Sequence, residues 1–92
     1  MIKSFKCKET AKLFNLKRTK IVANIQKIAL RKLEMLNAAF ELQDLKTPPA
    51  NHLEALKGDR KGQYSIRINN QWRLCFEWDS KNASNVEIVD YH

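Results

Sequence analysis

Apolar and polar residues alternate with a period of two along two stretches in the second half of the chain. Tyr64, Ile66 and Ile68 are separated by Ser65 and Arg67; Trp72, Leu74, Phe76 and Trp78 are separated by Arg73, Cys75 and Glu77. That period belongs to half-buried strands, whose successive side chains point to opposite faces. Asn69-Asn70-Gln71 lies between them, and Asn accepts the left-handed conformation that such turns need. A turn of Asn69 and Asn70 alone would set Ile66 opposite Arg73 and scramble the faces. A three-residue loop pairs 68 with 72, 66 with 74 and 64 with 76, which keeps the apolar residues together. The same register predicts Arg67 directly across from Arg73, a like-charge pair that costs roughly a few tenths to 1 kcal/mol. Either the two guanidinium groups fan apart into solvent, or this face meets a polyanion; the pattern leaves both open.

The rest of the chain is read in the same way. Ile2 to Phe5 alternates and predicts a short first strand. Cys7, Ala11 and Phe14 recur at helical spacing, which predicts a helix over Lys8–Phe14 ending at Asn15. A longer helix is expected from about Thr19 or Lys20 to Ala39 or Phe40. Its apolar arc holds Ile21, Val22, Ile25, Ile28, Ala29, Leu33, Leu36 and Phe40, with Lys32 at the edge extending its ammonium to water along an aliphatic stem. The opposite side carries Lys20, Asn24, Lys27 and Arg31. This basic stripe is either a solvated face or an RNA or ribosome contact. Leu42 and Leu45 suggest a helical turn that Pro48-Pro49 ends. Gly58 and Gly62 mark a tight loop. A polar turn over Asp79–Asn85 and a last strand over Val86–Val89 complete the chain. The order strand, two helices, three strands predicts one α+β domain over residues 1–92. Two N-terminal helices pack on one face of a small, mostly antiparallel sheet.

Composition narrows the function. The net charge is +7, and residues 1–32 hold ten Lys/Arg against one acid, Glu9. Such a patch suits nucleic acid, an anionic membrane or an acidic protein. Two lone cysteines, Cys7 and Cys75, with no metal-ligand spacing, fit reduced thiols in a cytoplasm. No apolar run reaches spanning length and no leader pattern opens the chain, so no membrane is expected. There is no phosphate-binding glycine loop, nucleophile elbow or HExxH, and neither a metal nor a cofactor is expected. His52, beside the proline turn, reads as an ordinary exposed residue.

The chain ends on groups fit for acid–base work: a carboxylate (Asp90), a phenol (Tyr91) and an imidazole (His92) in succession. An imidazole gives or takes a proton near neutrality, and its own α-carboxylate favours the charged form. Terminal residues fray by default, but a strand over Val86–Val89 would tie this end to the sheet.

These residues together resemble the HigB-type toxins of the RelE/ParE superfamily, the toxin halves of bacterial type II toxin–antitoxin systems. The resemblance begins with IKSF and a following LF, runs through LEALKGDRKGQYSIRINNQWRLCFEW, and closes on VEIVDYH. It implies a RelE-like fold and a ribosome-dependent endoribonuclease that cuts mRNA in the A site of the 70S ribosome without a metal. The implied reaction is attack of a ribose 2′-oxygen on the adjacent phosphate. By the same resemblance, Lys57, Asp90, Tyr91 and His92 fall where the family places its active residues. Lys57 and Arg73 would hold the phosphate, with Arg60, Lys61 and Arg67 as weaker contributors. Where some members have a histidine three residues before the lysine, this chain has Glu54, which puts a two-histidine mechanism in doubt. The implied partners are a helix-turn-helix antitoxin of the HigA type, the ribosome and mRNA. The ParE branch, which poisons DNA gyrase without cutting RNA, is the alternative; an inactive RNA-binding relative is a third.

Overall fold

The alternating stretches pair as their register requires. In the computed structural model, which describes residues 1–91, the strands are β1 (Glu54–Ala55), β2 (Gln63–Arg67), β3 (Trp72–Asp79) and β4 (Asn82–Asp90). They form an antiparallel sheet in the order β1-β2-β3-β4. Tyr64 pairs with Phe76, Ile66 with Leu74, and Arg67 lies across from Arg73. The connecting loop is closed by the Ile68 N–H donating to the Trp72 carbonyl at 2.9 Å. Inside it, Asn69 Oδ1 accepts the N–H groups of Gln71 and Trp72, each at 2.8 Å. The side chain thus does the work of a backbone turn, as Asn does readily.

Helices α1 (Lys8–Phe14) and α2 (Ala23–Ala38) cover one face of the sheet. Ile25, Ala29, Leu33 and Leu36 of α2 and Leu13 of α1 bury themselves against Ile66, Leu74, Phe76 and Val86. Phe76 is fully enclosed between Tyr64 and Trp78, with ring centroids 6.3 and 6.4 Å away. Among the described residues no helix is long and apolar enough to cross a membrane.

The sheet and helices depart from expectation in five places, each with a local cause. The N-terminal strand is reduced to two parallel bridges beside β4, Ile2 to Ala83 and Phe5 to Val86. Asn85 interrupts it with a φ of 51°, sending its N–H to Ser4 Oγ at 2.9 Å. The second helix starts at Ala23 instead of Thr19 or Lys20, because Glu9 has already claimed that segment. Glu9 Oε1 accepts the Lys20 N–H at 2.7 Å, and the Thr19 hydroxyl donates to the Glu9 carbonyl at 2.8 Å. Lys20 is therefore off the helix, and only Lys27 and Arg31 remain of the basic stripe on α2. Lys32 does not reach for water; its ammonium donates to the buried Asn51 Oδ1 at 2.5 Å. The last strand begins at Asn82, and the expected polar turn shrinks to Ser80 and Lys81. Here Ala83 is the buried partner of Trp78 while Asn82 and Ser84 lie half exposed. A small residue between polar ones leaves no hydrophobic signal. Finally, β1 pairs Glu54 with Ser65 and Ala55 with Tyr64, an exposed two-residue strand that no periodicity announces.

Candidate functional site

The face of the sheet away from the helices gathers most of the chemistry. Alternation sends Ser65 from β2, Arg73 and Cys75 from β3, and Glu87 from β4 to this side, since their neighbours Ile66, Leu74 and Ile88 belong to the core. Arg73 is its centre. Its Nε donates to the buried Ser65 Oγ at 2.8 Å and its Nη2 to the His52 carbonyl at 2.6 Å. Glu54 Oε1 lies 3.4 Å from Nη2, and the Arg73 side chain is only 13% exposed. The remaining terminal nitrogen, Nη1, is left unengaged among the described residues. A guanidinium is a rigid fork of five donors; here one side is clamped and the other is available to an oxyanion.

Tyr91 closes over this group. Its backbone N–H donates to the Gln71 carbonyl at 2.5 Å, and its ring stands 6.0 Å from Arg73 Cζ, at the outer reach of a cation–π contact. Tyr91 is thus tied to the loop after β2. Asp90 behaves differently. It occupies the register position of Trp72, while its neighbour Val89 occupies that of Arg73. Alternation therefore directs its carboxylate away from Arg73, and Oδ2 accepts Gln71 Nε2 at 3.1 Å. His92 lies outside the described residues.

The basic candidates separate by what already holds them. Arg60 is clamped: Nη1 donates to Gln63 Oε1 and Nη2 to Glu87 Oε1, both at 3.0 Å. Donating to the Glu87 carboxylate holds its pKa above the usual arginine value. Arg67 is half-buried and bonds Asn70 Oδ1. Lys57 and Lys61 flank the Gly58–Arg60 3-10 turn, exposed, with no side-chain hydrogen bond or ion pair among the described residues. Lys27 and Arg31 are exposed on α2. Beneath Arg60, the Cys75 thiol is fully buried, and that burial raises its pKa. Among the described residues no cluster of His, Cys, Asp and Glu is arranged to hold a metal.

Two supports of Arg73 escape sequence reasoning. Ser65 looks like one more polar residue on an outward face, and His52 takes part through its carbonyl, which any residue would supply. Only the β2–β3 register could have pointed to Ser65, because it places Ser65 two residues along the same face from Arg67, the residue opposite Arg73. Nothing in the chain flags His52, whose φ of 45° turns its carbonyl toward Arg73.

Comparison with solved structures places the fold first. The chain superposes on YafQ from E. coli strain BL21(DE3) with a TM-score of 0.59 at 16% identity, covering 98% of this chain and 91% of that one. The architecture is therefore that of this small α+β protein. The sequence then gives the family: residues 3–92 match the model for HigB-like toxins, described as the RelE-like toxin HigB of type II toxin–antitoxin systems, and the chain belongs to that family. It is 46% identical over 68 residues to Toxin HigB-1 of Vibrio cholerae, spanning 74% of this chain and 72% of the relative. It is 35% identical over 94 residues to Endoribonuclease HigB of Proteus vulgaris, spanning both chains fully. An uncharacterized protein of Haemophilus influenzae is 41% identical over 70 residues, 76% of this chain and 69% of the relative. Membership in a type II system implies an antitoxin partner.

Proposed function

We propose that this toxin is a ribosome-dependent endoribonuclease that cuts mRNA in the A site and so stops translation. The observation that carries the reading is the clamped Arg73, with one side of its guanidinium open and the Tyr91 ring beside it. Full-length similarity to a protein named Endoribonuclease HigB supports the same conclusion. A gyrase inhibitor of the ParE kind has no use for a pre-set oxyanion donor beside an exposed aromatic ring.

The reaction asks for a base, an acid and a cation. The ribose 2′-oxygen attacks the adjacent phosphorus and loses its proton to the base. The bond from phosphorus to the 5′-oxygen breaks, and the acid protonates that oxygen. The products are a 2′,3′-cyclic phosphate and a 5′-hydroxyl. Arg73 meets the charge that develops on the non-bridging oxygens, and the exposed Lys57 adds a second cation. His92 is the acid or the base; Asp90 is its partner or the alternative base, held at the loop by Gln71. Tyr91 stacks on or hydrogen-bonds the unstacked nucleotide, as aromatic side chains do with single-stranded RNA. A helix-turn-helix antitoxin of the HigA type would be the neutralising partner, and a cytoplasmic location follows from the ribosomal target. No metal enters this scheme.

The test is cleavage of a programmed ribosome–mRNA complex by purified toxin, mapped by primer extension. Cuts inside the A-site codon are expected. An uncut message together with an SOS response on induction would replace this reading with gyrase inhibition.

A further inference from the structure

A second cationic centre lies just beyond Arg73, on the helix side of the same sheet end. Arg31 and Lys32 of α2, Arg67 from the end of β2, and Asn69 from the loop line a groove of about 340 Å³, with Ile28 and Ala50 among its walls. Three cations line it, and no carboxylate is among its lining residues within the described chain. The arrangement is unfavourable for an empty protein. Arg67 also faces the like charge of Arg73 across the strand pair. Lys32 is partly desolvated, and burial followed by the charge of Arg31 lowers its pKa. Clustered cations without a counter-charge destabilise a fold unless an anion is meant to complete them.

The groove and the Arg73 site are joined through two consecutive residues. Lys32 Nζ donates to Asn51 Oδ1 at 2.5 Å, and Arg73 Nη2 donates to the His52 carbonyl at 2.6 Å. Asn51 is fully buried, its amide donating to the Leu45 carbonyl at 3.1 Å. The turn that braces Arg73 is therefore also the one that anchors Lys32 of the groove. Arg67 stands between them, on the open face by register and on the groove by its lining.

We infer that this groove is a phosphate subsite for the substrate RNA strand, holding the backbone some nucleotides away from the cleaved bond while Arg73 meets the scissile phosphate. The inference rests on the nuclease reading for the word substrate, and on the groove itself for the anion. A strand leaving Arg73 passes Arg67 at the end of the sheet and enters the groove between α2 and the Pro49–Asn51 turn. Arg31 and Arg67 then supply the salt-dependent grip, with Lys32 fixed beside them by Asn51.

The experiment measures anisotropy of a fluorescein-labelled, 2′-O-methylated single-stranded RNA against salt, with wild-type toxin, the double variant R31Q/R67Q, and K81Q. Lys81 sits in the turn at the opposite end of the β3–β4 pair and serves as the control for lost charge. Each phosphate contact contributes about 0.7 to the slope of log K against log salt for single strands, so the double variant is expected to lose about 0.7 or more and K81Q less. Equal slopes in R31Q/R67Q and K81Q would overturn the subsite. A second arm uses message-free ribosomes: weakened ribosome binding with unchanged oligonucleotide binding would assign the groove to ribosomal RNA and overturn the substrate-strand assignment. The nuclease reading is tested apart from this, since wild type that binds the oligonucleotide with the expected slope but leaves a programmed message uncut sinks that reading alone.

Discussion

Arg73 is held from one side by a neutral hydroxyl, a carbonyl and a carboxylate, and these supports differ in weight. Ser65 is fully buried and its Oγ receives Arg73 Nε at 2.8 Å. A hydrogen bond to a charged group in such a place is worth about 1.5–3 kcal/mol. Glu54 is 58% exposed and 3.4 Å away, so its ion pair is screened and worth about 0–1 kcal/mol. Ser65→Ala should therefore destabilise the protein by about 1.5–3 kcal/mol in urea titration, and Glu54→Gln by less than about 1 kcal/mol. The ordering is the first check. The second is a cycle with Arg73→Ala: if the hydroxyl acts by holding the guanidinium, removing it after Arg73 is gone should cost far less than in the wild type, leaving a coupling of about 1 kcal/mol or more. Cleavage should follow the same coupling, with Ser65→Ala slowing the chemical step and adding little to the loss caused by Arg73→Ala. Additive losses in stability and rate would refute the reasoning, because Ser65 would then matter through packing alone.

Other outcomes follow from the same contacts. Deleting His92 should abolish growth inhibition and in-ribosome cleavage with an unchanged melting profile; full toxicity would remove the acid–base assignment. Lys57→Ala should lower the cleavage rate by roughly 10²–10³ at saturating ribosome, the range for losing one oxyanion donor, whereas a loss only of ribosome affinity would make it a docking residue. Glu9 has its pKa held below 4.5, first by the Lys20 N–H and then by the Lys12 ammonium. Its contribution to stability is thus present above 4.5 and lost as the pH falls through the folded value. Glu9→Gln should flatten that acid limb in thermal melts, and an unchanged limb would show that other carboxylates set it. In the native protein iodoacetamide should modify Cys7 well before Cys75, whose thiol is buried and kept protonated; equal rates by peptide mapping would contradict the burial.

The sequence by itself determined the β2–β3 hairpin, its three-residue loop and the opposition of Arg67 and Arg73, because a period of two admits only one register that keeps Tyr64, Ile66 and Ile68 on the core side. It also determined α1 to its observed ends and the Ile25, Ala29, Leu33 and Leu36 stripe of α2, whereas Val22, Ile28 and Phe40 of the expected arc stand exposed. The family likeness was legible in the block around the hairpin and in the terminal residues. Tertiary structure decided what periodicity cannot encode. Glu9 shortened α2 by capturing the backbone of Lys20, an interaction between residues eleven apart that no local pattern contains. Asn51 captured Lys32, and β1 formed only because β2 offered it an edge. The clamp on Arg73 likewise depends on Ser65, His52 and Glu54 arriving from two other segments. Local sequence fixes which face each side chain takes along its own element. Which charged group finds which partner is settled only when distant segments are packed closely enough for a hydrogen bond to replace water.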